Sequence, residues 1–229
     1  AQFRCGVMCD DGEGVPQDKA AAFGWYKKAA EQGHAAAQGL CGSMCYRGEG
    51  TVQNKAAAFG WYQKAAEQGI VTAQALCGMM CDTGEGVPQD KAAAFGWDQK
   101  AAEQGHATAQ FNCGNMCSKG EGTAQDEAAA FGWYKKAAEQ GHAKAQYFCG
   151  YMLRQGEGVA QDQTAALGWL RKAAEQGDVG AQYFCGEMYL HGEGTSCDME
   201  QAKRWLQKAA QDEGTIGEFA KLDLKFYFS

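Results

Sequence analysis

Proline is almost missing from this chain, with two in 229 residues against a usual share of about 5%. That scarcity argues for helix and against a loop-rich disulfide module. No stretch approaches the roughly 18 consecutive apolar residues of a membrane span, and no basic segment followed by an apolar one opens the chain as a secretory leader would. A membrane is therefore not an expected partner. Positive charge is scarce as well: 21 Lys and Arg against 28 Asp and Glu give a formal net charge of −7. Without a basic stripe the chain lacks the footprint that phosphate backbones require, so nucleic acid is not expected either. The Gly-Glu-Gly triplets lack the further glycine of a dinucleotide loop and the Lys-Ser/Thr of a phosphate loop. No Ser-His-Asp or Cys-His pairing recurs at fixed offsets, and no enzyme is expected. What stands out against these absences is 11 cysteines.

The tryptophans fall at Trp25, Trp61, Trp97, Trp133, Trp169 and Trp205, each 36 residues after the last. Cys5, Cys41, Cys77, Cys113, Cys149 and Cys185 keep the same period, as do the triplets that begin at Gly12, Gly48, Gly84, Gly120, Gly156 and Gly192. One 36-residue unit is thus used six times, and self-similarity of that length signals a repeat architecture.

Within the unit 37–72, Leu40, Cys41, Met44 and Cys45 share one helical face, which predicts a first helix, helix A, over about 37–47. Gly48 supplies its left-handed stop. Asn54, matched by Asp18, Asp90, Asp126, Asp162 and Asp198, is a good N-cap for the next segment. That segment, KAAAFGWYQKAAEQ, predicts helix B, with Ala58, Trp61, Tyr62, Ala65 and Ala66 on one stripe and Gly69 as the stop. A single αα-hairpin cannot bury its stripe, so neighbours must stack. The expected fold class is all-α, a right-handed α-solenoid of six αα-hairpins at about 1–36, 37–72, 73–108, 109–144, 145–180 and 181–214. A C-terminal capping helix is expected at 215–229, where Phe219, Leu222, Leu224 and Phe226 would cover the last repeat. The first residues are already in phase with Ala37, as expected where a leader or further repeats have been trimmed.

With AQYFCGYMLRQGEGVAQD and AALGWLRKAAEQGD in unit 145–180, the chain resembles the Sel1-like repeat family, relatives of tetratricopeptide repeats. The resemblance covers about 1–210 and departs mainly where Cys149 replaces the family leucine. It implies a curved, non-catalytic scaffold that binds other proteins on its concave, helix-A side. A cysteine-rich Helicobacter-type branch of the family staples helix B to the following helix A through Cys-x7-Cys. Ala66 and its equivalents stand where that staple needs cysteine, so this chain lacks it.

The cysteines need another account. Four units pair them at i, i+4: Cys5 with Cys9, Cys41 with Cys45, Cys77 with Cys81, and Cys113 with Cys117. Such residues have Cβ atoms about 5–6 Å apart on a helix, too far for a disulfide at roughly 3.5–4.5 Å. A bridging metal is easier, because two sulfurs each ~2.3 Å from one ion are reachable by χ1 rotation. The second cysteine becomes Leu153 and Tyr189 in the last two units. Cys9, Cys45, Cys81 and Cys117 would then leave volume unfilled, at about 2–5 kcal/mol for each cavity that remains. One reading follows: a column of thiolates, completed by Cys149 and Cys185, that stores or sequesters several Cu(I) ions. Cu(I) ranks ahead of zinc because no tight Cys-x2-Cys knuckle occurs. The other reading is a protein-interaction scaffold whose cysteines are small buried hydrophobes. Reduced thiols suit the cytoplasm and a loaded cluster would allow the bacterial periplasm.

Met8, Met44, Met80, Met116, Met152 and Met188 recur beside the cysteines, where the family pattern also places methionine; core packing is expected of them. His34, His106 and His142 follow the glycine that ends helix B and are expected at the surface, as is the isolated His191. Cys197, in a connector, is expected to be an incidental exposed thiol.

Overall fold

The computed structural model describes residues 1–228; Ser229, the last residue of the expected capping helix, lies outside the described residues. Among those residues there are thirteen helices and no strand. They are α1 (Gln2–Asp11), α2 (Lys19–Glu31), α3 (Ala35–Arg47), α4 (Lys55–Glu67), α5 (Val71–Thr83), α6 (Lys91–Glu103) and α7 (Ala107–Lys119), followed by α8 (Glu127–Glu139), α9 (Ala143–Gln155), α10 (Gln163–Glu175), α11 (Val179–His191), α12 (Met199–Ala209) and α13 (Thr215–Phe228). Odd-numbered helices up to α11 are the helices A and even-numbered ones the helices B.

The second repeat shows why these residues form a hairpin. Asn54 takes an extended backbone, and its side chain accepts the Ala57 N–H at 2.9 Å, satisfying a donor the helix itself leaves unpaired. Gly48 ends α3 in the left-handed conformation at φ 75° and donates its N–H to the Met44 carbonyl. A second glycine of the triplet has a different duty. A methyl group at Gly86 would lie 2.5 Å from the Lys55 carbonyl, so only glycine lets this connector touch the start of α4.

The chain forms two compact units, one of Ala1–Ala109 with Glu121–Thr123, the other of Gln110–Gly120 with the chain from Ala124 onward. In the first, α1 packs on α2, α3 on α4 and α5 on α6, while α2 also packs on α3 and α4 on α5. Its core holds Ala22, Tyr26, Cys41, Met44 and Ala58, then Tyr62, Cys77 and Met80. Stacking is close because Gly42 faces Tyr62: a Cβ there would come within 2.6 Å of the ring.

In the second unit α8 packs on α9, α9 on α10, α10 on α11 and α11 on α12. Leu153, Ala166, Leu170, Cys185, Met188 and Trp205 form its main core. Helix α13 packs on α12 and α11, with Ala220 buried and Leu224 and Phe228 set against Leu206 and Ala209. Of the four expected contact residues, Leu224 packs on the repeat and the Phe219 ring lies 6.5 Å from that of Tyr183 on α11. Phe219, Leu222 and Phe226 are 51%, 62% and 79% exposed. Ala220 is the buried residue on the packed side of this helix and Gly217 lies against Asp212 of the connector before it, and that choice turns Leu222 and Phe226 outward.

Candidate functional site

A buried glutamine recurs in α3, α5, α7 and α9, and in α3, α5 and α9 it donates to a carbonyl of the preceding helix B. Gln74 donates to the Ala66 carbonyl at 3.1 Å, and its own carbonyl oxygen accepts from Gln104, the residue that ends α6, at 2.8 Å. Gln38 and Gln68 repeat the arrangement in the first unit, Gln146 and Gln176 in the second. These amides fix the height at which successive helices A sit and so position whatever those helices present. The sequence carried the signal, a glutamine after alanine every 36 residues, but spacing alone does not tell a buried amide from a solvated one.

The cysteines lie on the opposite side of helix A from solvent. Cys41, Cys45, Cys77, Cys81, Cys113, Cys117, Cys149 and Cys185 are buried, while Cys5 and Cys9 are half-buried. All are free thiols. Burial pushes the thiols of Cys41, Cys77, Cys149 and Cys185 up to about 12. Desolvation likewise raises Cys45, Cys81 and Cys117. The expected convergence of sulfurs on shared ions finds no support. Among the described residues no three His, Cys, Asp or Glu side chains gather where they could hold a metal. Phe23 and Trp61 pack against the core cluster that contains Cys41, and Phe23, Trp61 and Trp97 against the one that contains Cys45.

Met44, Met80, Met116, Met152 and Met188 are buried packing residues, and Met8 is exposed. His34, His106 and His142 do more than sit at the surface: each Nδ1 accepts a backbone N–H three residues on, at 3.2 to 3.3 Å, capping its helix A. Burial lowers the His142 pKa. Cys197 is exposed, and its Sγ donates to the Leu190 carbonyl at 3.2 Å.

The open surface lies elsewhere. In the first unit an apolar trough of about 630 Å³ runs between α3 and α5, with Gly39, Leu40, Leu76 and Met79 along its sides and Tyr62 and Ile70 below. It falls within the range of roughly 300–1,000 Å³ that ligand pockets occupy. On the helices A of the second unit, the same register positions carry rings. Tyr134 stacks on Phe148 at 5.0 Å, Tyr147 and Tyr151 each lie 6.1 Å from Phe184, and the Arg154 guanidinium sits 5.1 Å above Phe184. Arg154 is held there by two hydrogen bonds to Glu193, at 2.7 and 3.2 Å. Tyrosine, aromatic and arginine side chains are the types enriched at protein interfaces. The family resemblance implied partner binding on the helix-A side, but nothing in the sequence pattern marked the trough.

The family model described as the Sel1 repeat matches residues 1–34, 35–70, 71–106, 107–142, 143–178 and 179–212. Its frame begins two residues before the one drawn from the tryptophan period. Among solved structures, the chain is similar to c5321, described as a protective antigen of uropathogenic Escherichia coli displaying an SLR fold, with 34% identity and a TM-score of 0.87 over 98% of this chain. It is also similar to a Sel1 repeat protein from Oxalobacter formigenes, with 35% identity and a TM-score of 0.74 over 96% of this chain. The chain spans 48% of the first of those proteins and 64% of the second. No curated protein matches it. No helix of the described residues is long and apolar enough to cross a membrane.

Proposed function

Because this chain belongs to the Sel1 repeat family, we propose that it is a non-catalytic scaffold that binds a protein partner on the helix-A face. The observation that carries this reading is the open apolar trough between α3 and α5. On α7 and α9 the helix-A register is filled by the chain's own rings, as at Phe111 and Phe148. A polar amide ladder behind that face keeps the helices A in fixed positions, which lowers the ordering cost of binding.

The test is selection of binders from a displayed peptide library against the folded protein. Binding is expected to be lost in the double variant Leu76→Asn, Met79→Glu. The chain itself carries Asn112 and Glu187 at those register positions, so the fold accepts both residues. Binders that ignore this variant would place the interaction elsewhere.

A second reading, Cu(I) storage by the Cys-x3-Cys pairs, has one feature in its favour. In the pairs Cys41/Cys45 and Cys77/Cys81, charge on the second thiol raises the pKa of the first, as expected of neighbouring sulfurs. Two sulfurs are a short ligand set for a soft ion, and both lie in hydrocarbon. Anaerobic Cu(I) titration against a competing chelator separates the readings: the scaffold reading expects only the accessible Cys5, Cys9 and Cys197 to respond, and storage expects several tight equivalents.

A further inference from the structure

The repeats serve as templates for one another, and the comparison says what the trough lacks. In α1 the ring of Phe3 stacks on His34 at 4.4 Å and 15°, and lies 5.7 Å from the ring of Tyr26. In the second unit Phe111 does the same, 4.7 Å from His142 and 5.8 Å from Tyr134. Each time a phenyl ring on helix A fills the space bounded by the tyrosine of helix B and the residue that caps the next helix A.

In the second repeat the register equivalents are Gly39, Tyr62 and Ile70. The tyrosine is present and buried, and the capping position carries an aliphatic side chain, but the ring is missing. A Cβ built on Gly39 meets nothing within 4 Å. Gly39, Tyr62 and Ile70 all line the trough. In the third repeat Ala75 also lacks a ring, but Asp98 replaces the tyrosine there, so the second repeat alone joins a missing ring to an intact aromatic wall.

We propose that this trough is a socket for one aromatic side chain of a partner protein, a phenylalanine-like ring that takes the place Phe3 and Phe111 occupy in their own repeats. The proposal rests on the scaffold reading and names what that scaffold grips. Ile70 is suited to the role: an imidazole at this place would offer a polar, titratable wall, whereas a half-buried isoleucine offers hydrocarbon. Burial of a ring in a preformed apolar site is the usual form of an interface anchor.

The experiment uses two probes, the peptide amides acetyl-Ser-Gly-Phe-Gly-Ser and acetyl-Ser-Gly-Ala-Gly-Ser, followed by methyl NMR of Ile70, Leu76 and Met79. The phenylalanine peptide is expected to shift these methyls saturably and at least tenfold more tightly than the alanine peptide. Gly39→Phe supplies the missing ring from within; it is expected to fold, to melt no lower than the parent and to lose the response. Gly24→Phe, on an exposed helical position with nothing within 4 Å of its Cβ, is the control and is expected to keep it. Equal responses to the two peptides, no response, or a response retained in folded Gly39→Phe would overturn the socket. So would concentration-dependent shifts of the protein alone that vanish in Gly39→Phe, since the occupant would then be a second copy of this chain. If library-selected binders occupy the helix-A face but tolerate Gly39→Phe, the socket fails and the scaffold stands; if they avoid that face, the scaffold fails.

Discussion

A thiol among alanine, methionine and tyrosine side chains keeps its proton, because the thiolate would lose its hydration with no cation to replace it. This is the condition of Cys41, Cys77, Cys149 and Cys185, and it makes them poor nucleophiles at neutral pH. Iodoacetamide at pH 8 is expected to label Cys197 first and Cys5 and Cys9 more slowly. The eight buried cysteines should react only after denaturant is added, as peptide mass spectrometry would show; rapid native labelling of Cys41 or Cys77 would contradict their burial. His142 gives a pH dependence whose sign is fixed. Burial holds its folded pKa below the ordinary value of about 6.5, so between the two values the unfolded chain binds more protons. The contribution to stability is present above about 6.5 and is lost as pH falls through the folded pKa. In His142→Asp, which copies the Asp178 cap on the Ala181 N–H, melting temperature should fall less between pH 7.5 and 5.5 than in the parent. Parallel slopes would show that His142 carries no such linkage. The sequence marked these histidines only as surface residues, since capping depends on a backbone angle that residue identity does not reveal.

The helices were the legible part of this molecule. Period, caps and stop glycines place helix A at about 37–47, and the structure has it at Ala35–Arg47. What the pattern did not give was depth. Both glycines of Gly-Glu-Gly look alike as turn residues, yet the second lies against the carbonyl of another repeat. Gly86→Ala is expected to lower stability by about 1–3 kcal/mol through overpacking and left-handed strain. Gly132→Ala, exposed in mid-helix with nothing near its Cβ, should raise it by about 0.5–1 kcal/mol. Urea denaturation of the two variants checks the contrast; equal effects would mean the connector contact contributes nothing. Helix α13 shows the same limit. Its large apolar residues looked like the docking face, but the residue buried against Leu206 and Ala209 is Ala220, and small residues leave no mark in a hydrophobic pattern.

Across the whole molecule, repetition makes departures informative. Ten cysteines in register suggested a shared metal column, because identical spacing along a sequence resembles alignment in space. In the structure eight of them are buried and Cys5 and Cys9 half-buried, and among the described residues no three His, Cys, Asp or Glu side chains gather where they could hold a metal. The trough, by contrast, arises where two residues 31 positions apart, Gly39 and Ile70, break the pattern together. Neither is notable alone, and only their meeting across α3 and α5 makes a site. The scaffold account is tested most directly by amide hydrogen exchange on the protein with and without a library-selected peptide bound. It predicts added protection on α3 and α5, centred on residues 39–47 and 70–79. Protection confined to the helices B, or to the exposed side of α13, would contradict it.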